Sequence, residues 1–356
     1  MTNPNQEGFN PGGVKDRYDN RDYQWHEVGY GTMPFDWNTG FDVESRLGSK
    51  LKVKDQNGSY SCGGQAWSYL AEVQEALHTG NYEPRSAKFI YAQTFVPPLG
   101  GSAGRDNCNL YVKQGVAEES KLSSYDSGQP PQEAFMRRSE DITYDVRANA
   151  KLALSSSYAQ VGTDIESFAT AIRDNDGAII GIAGSNNGTW NSLMPKPPVA
   201  GEQQWYHWIY CGKAKLINGK KYIGVCNSWG TAVGDPANPG WQWISEDYFK
   251  IPGAIFSGWT NVYNASPDLT PFKHTFTKTL DYGMSDPEVQ WLQKALTLEG
   301  CFPETISPTL FFGNVTKQSV QKFQIKYNIV SSGSSATTGF GRVGPKTLAK
   351  LNSIYA

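Results

Sequence analysis

Hydrophobic positions along the chain recur with two different periods. After Cys62, the residues Ala66, Trp67, Tyr69, Leu70, Val73 and Leu77 return at helical spacing and predict a long helix over 62–78. A shorter helix is expected over 85–95, ending at Pro97-Pro98, followed by a loop at Leu99-Gly100-Gly101-Ser102. Leu110, Val112 and Val116 predict another helix over 108–115, and the Pro-, Gln-, Ser- and charge-rich stretch 126–142 predicts a surface crossing. Beyond Asp145 the texture changes. Ile165, Phe168, Ala169 and Ile172 fit a helix closing at Asp176-Gly177, and 178–182 reads as a buried strand. Two strands, 207–217 and 220–227, flank Asn218-Gly219, a strong hairpin signal. The first half is therefore helix-rich and the second strand-rich, with a functional cleft expected between two such lobes.

The last block is separate. A helix over 286–299 is expected to start from Ser285 as N-cap, with Pro287 in its first turn and Gly300 as its stop. A second runs over 316–328 with Val320, Phe323 and Tyr327 inward, and a short third opens at 344–348 after a Gly/Ser/Thr loop. Residues 1–30 read as an extended polar arm. These breaks divide the chain into an arm (1–32), a large α+β domain (33–274) and a small all-α domain (275–356).

Composition narrows the class. With 356 residues, 38% hydrophobic and 19% charged, the chain suits a soluble globular protein of two domains. A net charge of −2 gives no reason to expect nucleic acid as a partner. The terminal block carries eight Lys/Arg against five Asp/Glu, a weak pointer to an anionic partner. No apolar run predicts a membrane span or a secretory signal. The five cysteines are odd in number and lack C-x-x-C spacing, so mostly free thiols are expected. His and Cys nowhere fall at metal-ligand spacing, so no metal and no cofactor is expected.

The chemistry centres on Cys62. A polar turn at Asn57-Gly58-Ser59 leads to a cysteine at a predicted helix start, where unpaired N–H groups favour thiolate. Gln56, six residues upstream, can turn an amide N–H toward whatever the thiol attacks. A nucleophilic cysteine needs a base. Of the four histidines, His26 is in the arm, His274 in the linker, and His78 lies about 24 Å along the helix. That leaves His207. Asn227 follows twenty residues later, and its amide oxygen can accept the His207 Nδ1–H, with Trp229 covering the bond. Perfect pairing around Asn218-Gly219 would place Asn227 opposite Tyr210 and point His207 and Asn227 to opposite faces. A β-bulge or register shift between 208 and 226 is therefore predicted, leaving Cys211 and Cys226 on opposite faces and unbonded.

Cys62, His207 and Asn227 in this order, with Gln56 six before the cysteine and Asn227-Ser228-Trp229-Gly230 as a motif, resemble the papain family of cysteine peptidases. The likeness spans roughly residues 33 to 260 and includes the Met33-Pro34-Phe35-Asp36-Trp37 start. It implies a papain-like two-lobe fold, a helical lobe plus a β-barrel-like lobe. It also implies a Cys62–His207 ion pair and an oxyanion hole from Gln56 and the Cys62 N–H. Gly100 and Gly101 would line the main side-chain pocket, with Tyr206 and Trp229 as further substrate-binding residues. Gly63, Ser59 and Tyr206 depart from the family's usual residues. The roughly thirty residues ahead of the mature-like start are expected to leave no room for an inhibitory propeptide.

In the tail, Gly283 to Val289, Leu292-Gln293, Phe312-Gly313, Phe323-Gln324 and Val343 to Leu348 resemble the three-helix peptidoglycan-binding domain of bacterial and phage cell-wall hydrolases. Together the resemblances imply a monomeric cysteine endopeptidase acting at the cell wall or outside the cell, on surface proteins or peptidoglycan peptides. A catalytically inactive wall-binding protein on a peptidase scaffold is the alternative.

Overall fold

The computed structural model describes residues 11–19, 22, 24–25, 33–126, 132–199, 201–263, 273–303 and 308–356. The chain divides into two compact units, 1–267 and 268–356.

Among the described residues of the first unit, the strands are β1 (Gly13–Val14), β2 (Phe41–Asp42), β3 (Ser102–Ala103), β4 (Ser157–Gln160), β5 (Ala178–Gly184), β6 (Trp205–Ile217), β7 (Lys220–Cys226), β8 (Gly234–Asp235), β9 (Asn238–Pro239), β10 (Trp241–Ser245) and β11 (Ile255–Val262). Seven of them form one sheet in the order β10-β7-β6-β5-β11-β4, with β2 also paired to β6. Side chains alternate across it. Ile179, Trp208, Tyr210 and Cys226 face one core with the helix Cys62–Thr79. Ile180, Ile182, Ile209, Cys211 and Val225 face a second core with the helix Ile165–Asn175.

The Cys62–Thr79 helix is buried over most of its length. Trp67, Tyr69, Leu70 and Val73 are wholly inaccessible, each burial contributing about 1.5–3 kcal/mol. Gly80 ends it with φ 75° and an N–H donated to the Ala76 carbonyl. Glu72, buried on this helix, is satisfied by Lys54 Nζ (2.8 Å), the Arg85 N–H (3.0 Å) and Tyr82 Oη (3.1 Å). The next two helices, Ala87–Thr94 and Gly104–Gln114, complete the packing around it, the second beginning four residues before the predicted span.

Strands β6 and β7 carry the predicted irregularity. Asn218 and Gly219 have φ 51° and 77°, as a tight two-residue hairpin requires. Pairing runs in register from Ile217↔Lys220 to Lys213↔Gly224, then slips by one at Gly212, so that Cys211 faces Val225 and Tyr210 faces Cys226. A Cβ on Gly212 would lie 2.8 Å from both Tyr210 Cε1 and Val43 Cγ1, so the bulge needs glycine. All five cysteines are free.

The arm is only partly within the described residues. Where described, residues 11–17 lie against the first unit, with β1 pairing in parallel to β3 through Gly13↔Ser102 and Val14↔Ala103.

The second unit holds three helices, Pro287–Leu298, Asn314–Lys326 and Pro345–Tyr355, around Val289, Leu292, Leu296, Val320, Phe323 and Leu351. The first is capped by Asp286, whose side chain accepts the Glu288 N–H, and not by Ser285. Asp286 sits one residue closer to Pro287, which takes the first helical position where a missing N–H costs nothing. Among the described residues, no helix is long and apolar enough to cross a membrane.

Candidate active site

Cys62 opens its helix with Ser61 ahead of it, at the wall formed by the polar turn. His207 stands on β6, and Asn227 follows the last residue of β7. The bulge at Gly212 brings the two onto the same face: with Tyr210 opposite Cys226, Asn227 takes the parity of Ile209 and hence of His207. Their side chains meet at 2.9 Å, through Nε2 of the imidazole and Oδ1 of the amide.

This corrects the expected use of Nδ1. The Ser228 N–H also donates to Asn227 Oδ1 (2.8 Å), and Asn227 Nδ2 donates to Gln242 Oε1 (2.8 Å). Oδ1 is thus the acceptor side of the amide, and the imidazole must carry its proton on Nε2. Nδ1 keeps its lone pair and has no hydrogen-bond partner. The N–H of Trp208, one residue past His207, reaches Cys62 Sγ at 3.5 Å. The sulfur therefore lies against the backbone of β6 where the histidine stands.

The imidazole is stacked on Trp229, with centroids 4.7 Å apart and planes 17° from parallel. Trp229 is buried and packs also against Trp190 and Trp205. Its place is that of a cover over the His207–Asn227 bond, not of an open substrate surface. Tyr206 is half-buried and edges onto Phe256.

Gln56 is wholly buried. Its Nε2 donates to the Pro11 carbonyl (3.0 Å) and the Ser59 carbonyl (2.8 Å), while Oε1 accepts from Ser228 Oγ (2.9 Å). Gly100 and Gly101 both have positive φ, 85° and 79°. The Gly101 N–H donates to Tyr91 Oη (2.9 Å), which donates to Glu133 Oε1 (2.7 Å), and Glu133 Oε2 accepts the Tyr60 N–H (2.7 Å). One carboxylate thus ties the glycine loop to the turn carrying Cys62.

Burial dominates the electrostatics. It pushes the Cys62 thiol up to about 12, against the lowering effect of the Trp208 N–H, and His207 down to about 3, against the raising effect of Asn227. Both shifts favour the neutral thiol and the neutral imidazole over the ion pair that the resemblance implied.

Sequence reading missed Gln242, Glu133 and Tyr91. Gln242 had a signal: a polar residue between Trp241 and Trp243 in a buried strand must find partners, and its Nε2 donates to the Trp190 (2.7 Å) and Ser192 (2.9 Å) carbonyls. Glu133 and Tyr91 had none, being joined only by the fold. The spot where Gly63 departs from the usual residue is filled: a Cβ there would lie 2.1 Å from Ser102 Oγ and 2.5 Å from Asn107 Nδ2.

Residues 285–351 match the family described as "Putative peptidoglycan binding domain". No curated protein sequence matches the chain. Among solved structures, xylellain, a cysteine protease from Xylella fastidiosa, is 18% identical with a TM-score of 0.57, over 71% of this chain and 96% of that one. Procathepsin B S9 from Trypanosoma congolense is 12% identical with a TM-score of 0.54, over 72% and 86%. Procathepsin L 3 of Tenebrio molitor is 17% identical with a TM-score of 0.52, over 65% and 73%. The larger unit thus has the papain-like fold of these cysteine proteases, and the smaller one carries the peptidoglycan-binding match.

Proposed function

We propose that the chain is a cysteine endopeptidase working through Cys62, His207 and Asn227, with Gln56 completing its oxyanion hole. The observation that carries this is the contact of His207 Nε2 with Asn227 Oδ1. Asn227 holds Nε2–H, leaving Nδ1 as a free base while the neighbouring Trp208 N–H touches Cys62 Sγ. Nδ1 takes the thiol proton and the thiolate attacks a peptide carbonyl. The resulting oxyanion is held by Gln56 Nε2 and the Cys62 N–H, each such donor contributing about 3 kcal/mol. Nδ1–H then protonates the leaving amine, and water hydrolyses the thioester to release the acid and restore the thiol. Gly100 and Gly101 form the side-chain pocket. The terminal unit directs the enzyme to bacterial cell wall, where surface proteins and peptidoglycan peptides are the available substrates. Incubation with casein and with purified sacculi tests this. Wild type should release peptides or new amino groups from at least one of them, and Cys62→Ala should release none. Equal release from both proteins would end the reading.

A further inference from the structure

Gln56 can serve as an oxyanion donor only while its amide is held at a fixed angle. Its two N–H groups are not equivalent. One goes to the Ser59 carbonyl (2.8 Å), three residues on in the same turn. The other, which bonds to the Pro11 carbonyl (3.0 Å), is the one assigned to the oxyanion. Ser228 Oγ donates to the amide oxygen (2.9 Å). Both N–H groups lie in one amide plane, so the Ser59 carbonyl sets where the second one points.

What fixes the Ser59 carbonyl is a run of buried side chains beneath the turn. Ser59 bonds back to the Gln56 carbonyl twice, through its N–H (3.0 Å) and its Oγ (2.7 Å). Its Oγ also lies 2.7 Å from Ser61 Oγ, and Ser61 Oγ accepts from Gln65 Nε2 at 3.3 Å. Each hydroxyl has one proton to give. That of Ser59 is committed to the Gln56 carbonyl, so Ser61 must donate to Ser59. The bonds therefore run one way, from Gln65 through Ser61 and Ser59 to Gln56. All four residues are at most 1% exposed, so water has no access to stand in for a missing member.

Ser61 shows that this run is not a by-product of helix capping. It stands at the N-cap of the Cys62–Thr79 helix, where a serine hydroxyl ordinarily accepts an N–H of the first turn, yet its side chain caps nothing. The hydroxyl is turned to Ser59 and Gln65 instead. Tyr60, between the two serines, is anchored separately, with its N–H on Glu133 Oε2 (2.7 Å). Ser59 is also one of the positions where the sequence departs from the papain family's usual residues.

We propose that Gln65, Ser61 and Ser59 form a positioning relay for the oxyanion hole, fixing the Ser59 carbonyl so that it holds one N–H of Gln56 and aims the other. This rests on the peptidase reading and deepens it. The three residues touch neither substrate nor the reacting atoms, and they act through Gln56. The relay begins one turn into the helix that Cys62 opens, and Ser61 directly precedes Cys62. It thereby ties the two oxyanion donors, the Cys62 N–H and Gln56 Nε2, to one frame.

The test uses the full chain and the best-cleaved member of a fluorogenic peptide library. Ser59→Ala removes the last hydroxyl without adding bulk, and Gln65→Met removes the first donor at nearly constant volume. Circular dichroism confirms that each variant is folded. Removing an oxyanion donor outright lowers kcat about 100- to 1,000-fold, so loosening its aim should lower kcat about tenfold with KM within about twofold. The deciding measurement repeats the folded variant on a Gln56→Ala background. A relay that acts only through Gln56 has nothing left to position there, so kcat should change by less than about twofold. A kcat within about twofold of wild type in both folded single variants overturns the relay and leaves the peptidase standing. A tenfold fall that recurs undiminished on the Gln56→Ala background also overturns it, because the serines would then support the turn and not the donor. Wild type that hydrolyses no member of the library removes the peptidase reading and the relay with it.

Discussion

At the scale of single residues, the proposed catalytic constellation depends on side chains that would never touch substrate. Asn227 can orient His207 only while its own amide is held, and Gln242 holds it by accepting from Nδ2 at 2.8 Å. Gln242 is itself wholly buried and satisfied by two carbonyls. Gln242→Leu would leave Asn227 Nδ2 and both carbonyls unpaired. We expect a loss of about 1–3 kcal/mol in stability. We also expect kcat to fall about tenfold through misorientation of the imidazole, about 1.4 kcal/mol on the barrier, with KM unmoved. Urea melts and steady-state kinetics of the variant measure both. An unchanged kcat in a destabilised protein would reduce Gln242 to a packing role.

At the scale of elements, the β6–β7 hairpin shows why a motif in the sequence is not yet a site. The residue order Cys62, His207, Asn227 was readable, and so was the Asn218-Gly219 turn. Their combination was contradictory until a one-residue slip was allowed, and parity alone required it. What parity could not give was its position, because Gly212 is marked by contacts with Tyr210 and Val43 that exist only after folding. The ring nitrogen used by His207 was likewise settled only by the Ser228 N–H on Asn227 Oδ1. Helix existence followed from periodicity, whereas helix starts drifted. Asp286 displaced Ser285 as cap, and the helix expected from Cys108 begins at Gly104. The bulge carries a direct prediction. Gly212→Val puts a side chain where Tyr210 and Val43, each 2.8 Å from a Cβ there, leave no space in the bulge; it favours uninterrupted pairing of residue 212, which returns Asn227 to the register opposite Tyr210 and turns it away from His207. Peptide hydrolysis should fall by at least about 100-fold, because an imidazole without its orienting partner is a poor base. The loss should appear even in chains that keep their circular dichroism spectrum, where retained activity would show that the bulge is not what aligns the pair.

At the scale of the whole molecule, the proposed function separates chemistry from address. The first unit contains every residue assigned to catalysis. The second contributes a core of its own and a different kind of surface. Its segments around 282–284 and 310–312 are joined by Gly283 N–H to the Phe312 carbonyl (2.9 Å) and Phe312 N–H to the Met284 carbonyl (2.8 Å). Tyr282 and Phe311, carried on these segments, are 54% and 49% exposed, and Leu310 is 50% exposed beside them. Exposed rings of this kind offer flat apolar faces to sugars, while the buried positions of the same domain only maintain its fold. The periodicity of the tail revealed those buried positions and could not rank the exposed ones. If the unit is an anchor, its effect is on local concentration and not on the reaction. Removal of residues 280–356 should then leave casein hydrolysis within about twofold, yet abolish sedimentation with purified sacculi. Tyr282→Ala with Phe311→Ala in the intact chain should weaken sedimentation at least about fivefold while the melting of the second unit stays put, each lost stacking contact being of the order of 1 kcal/mol. Sedimentation that survives the truncation would place wall affinity in the first unit. Survival of sedimentation in the double variant alone would move the binding face elsewhere on the second.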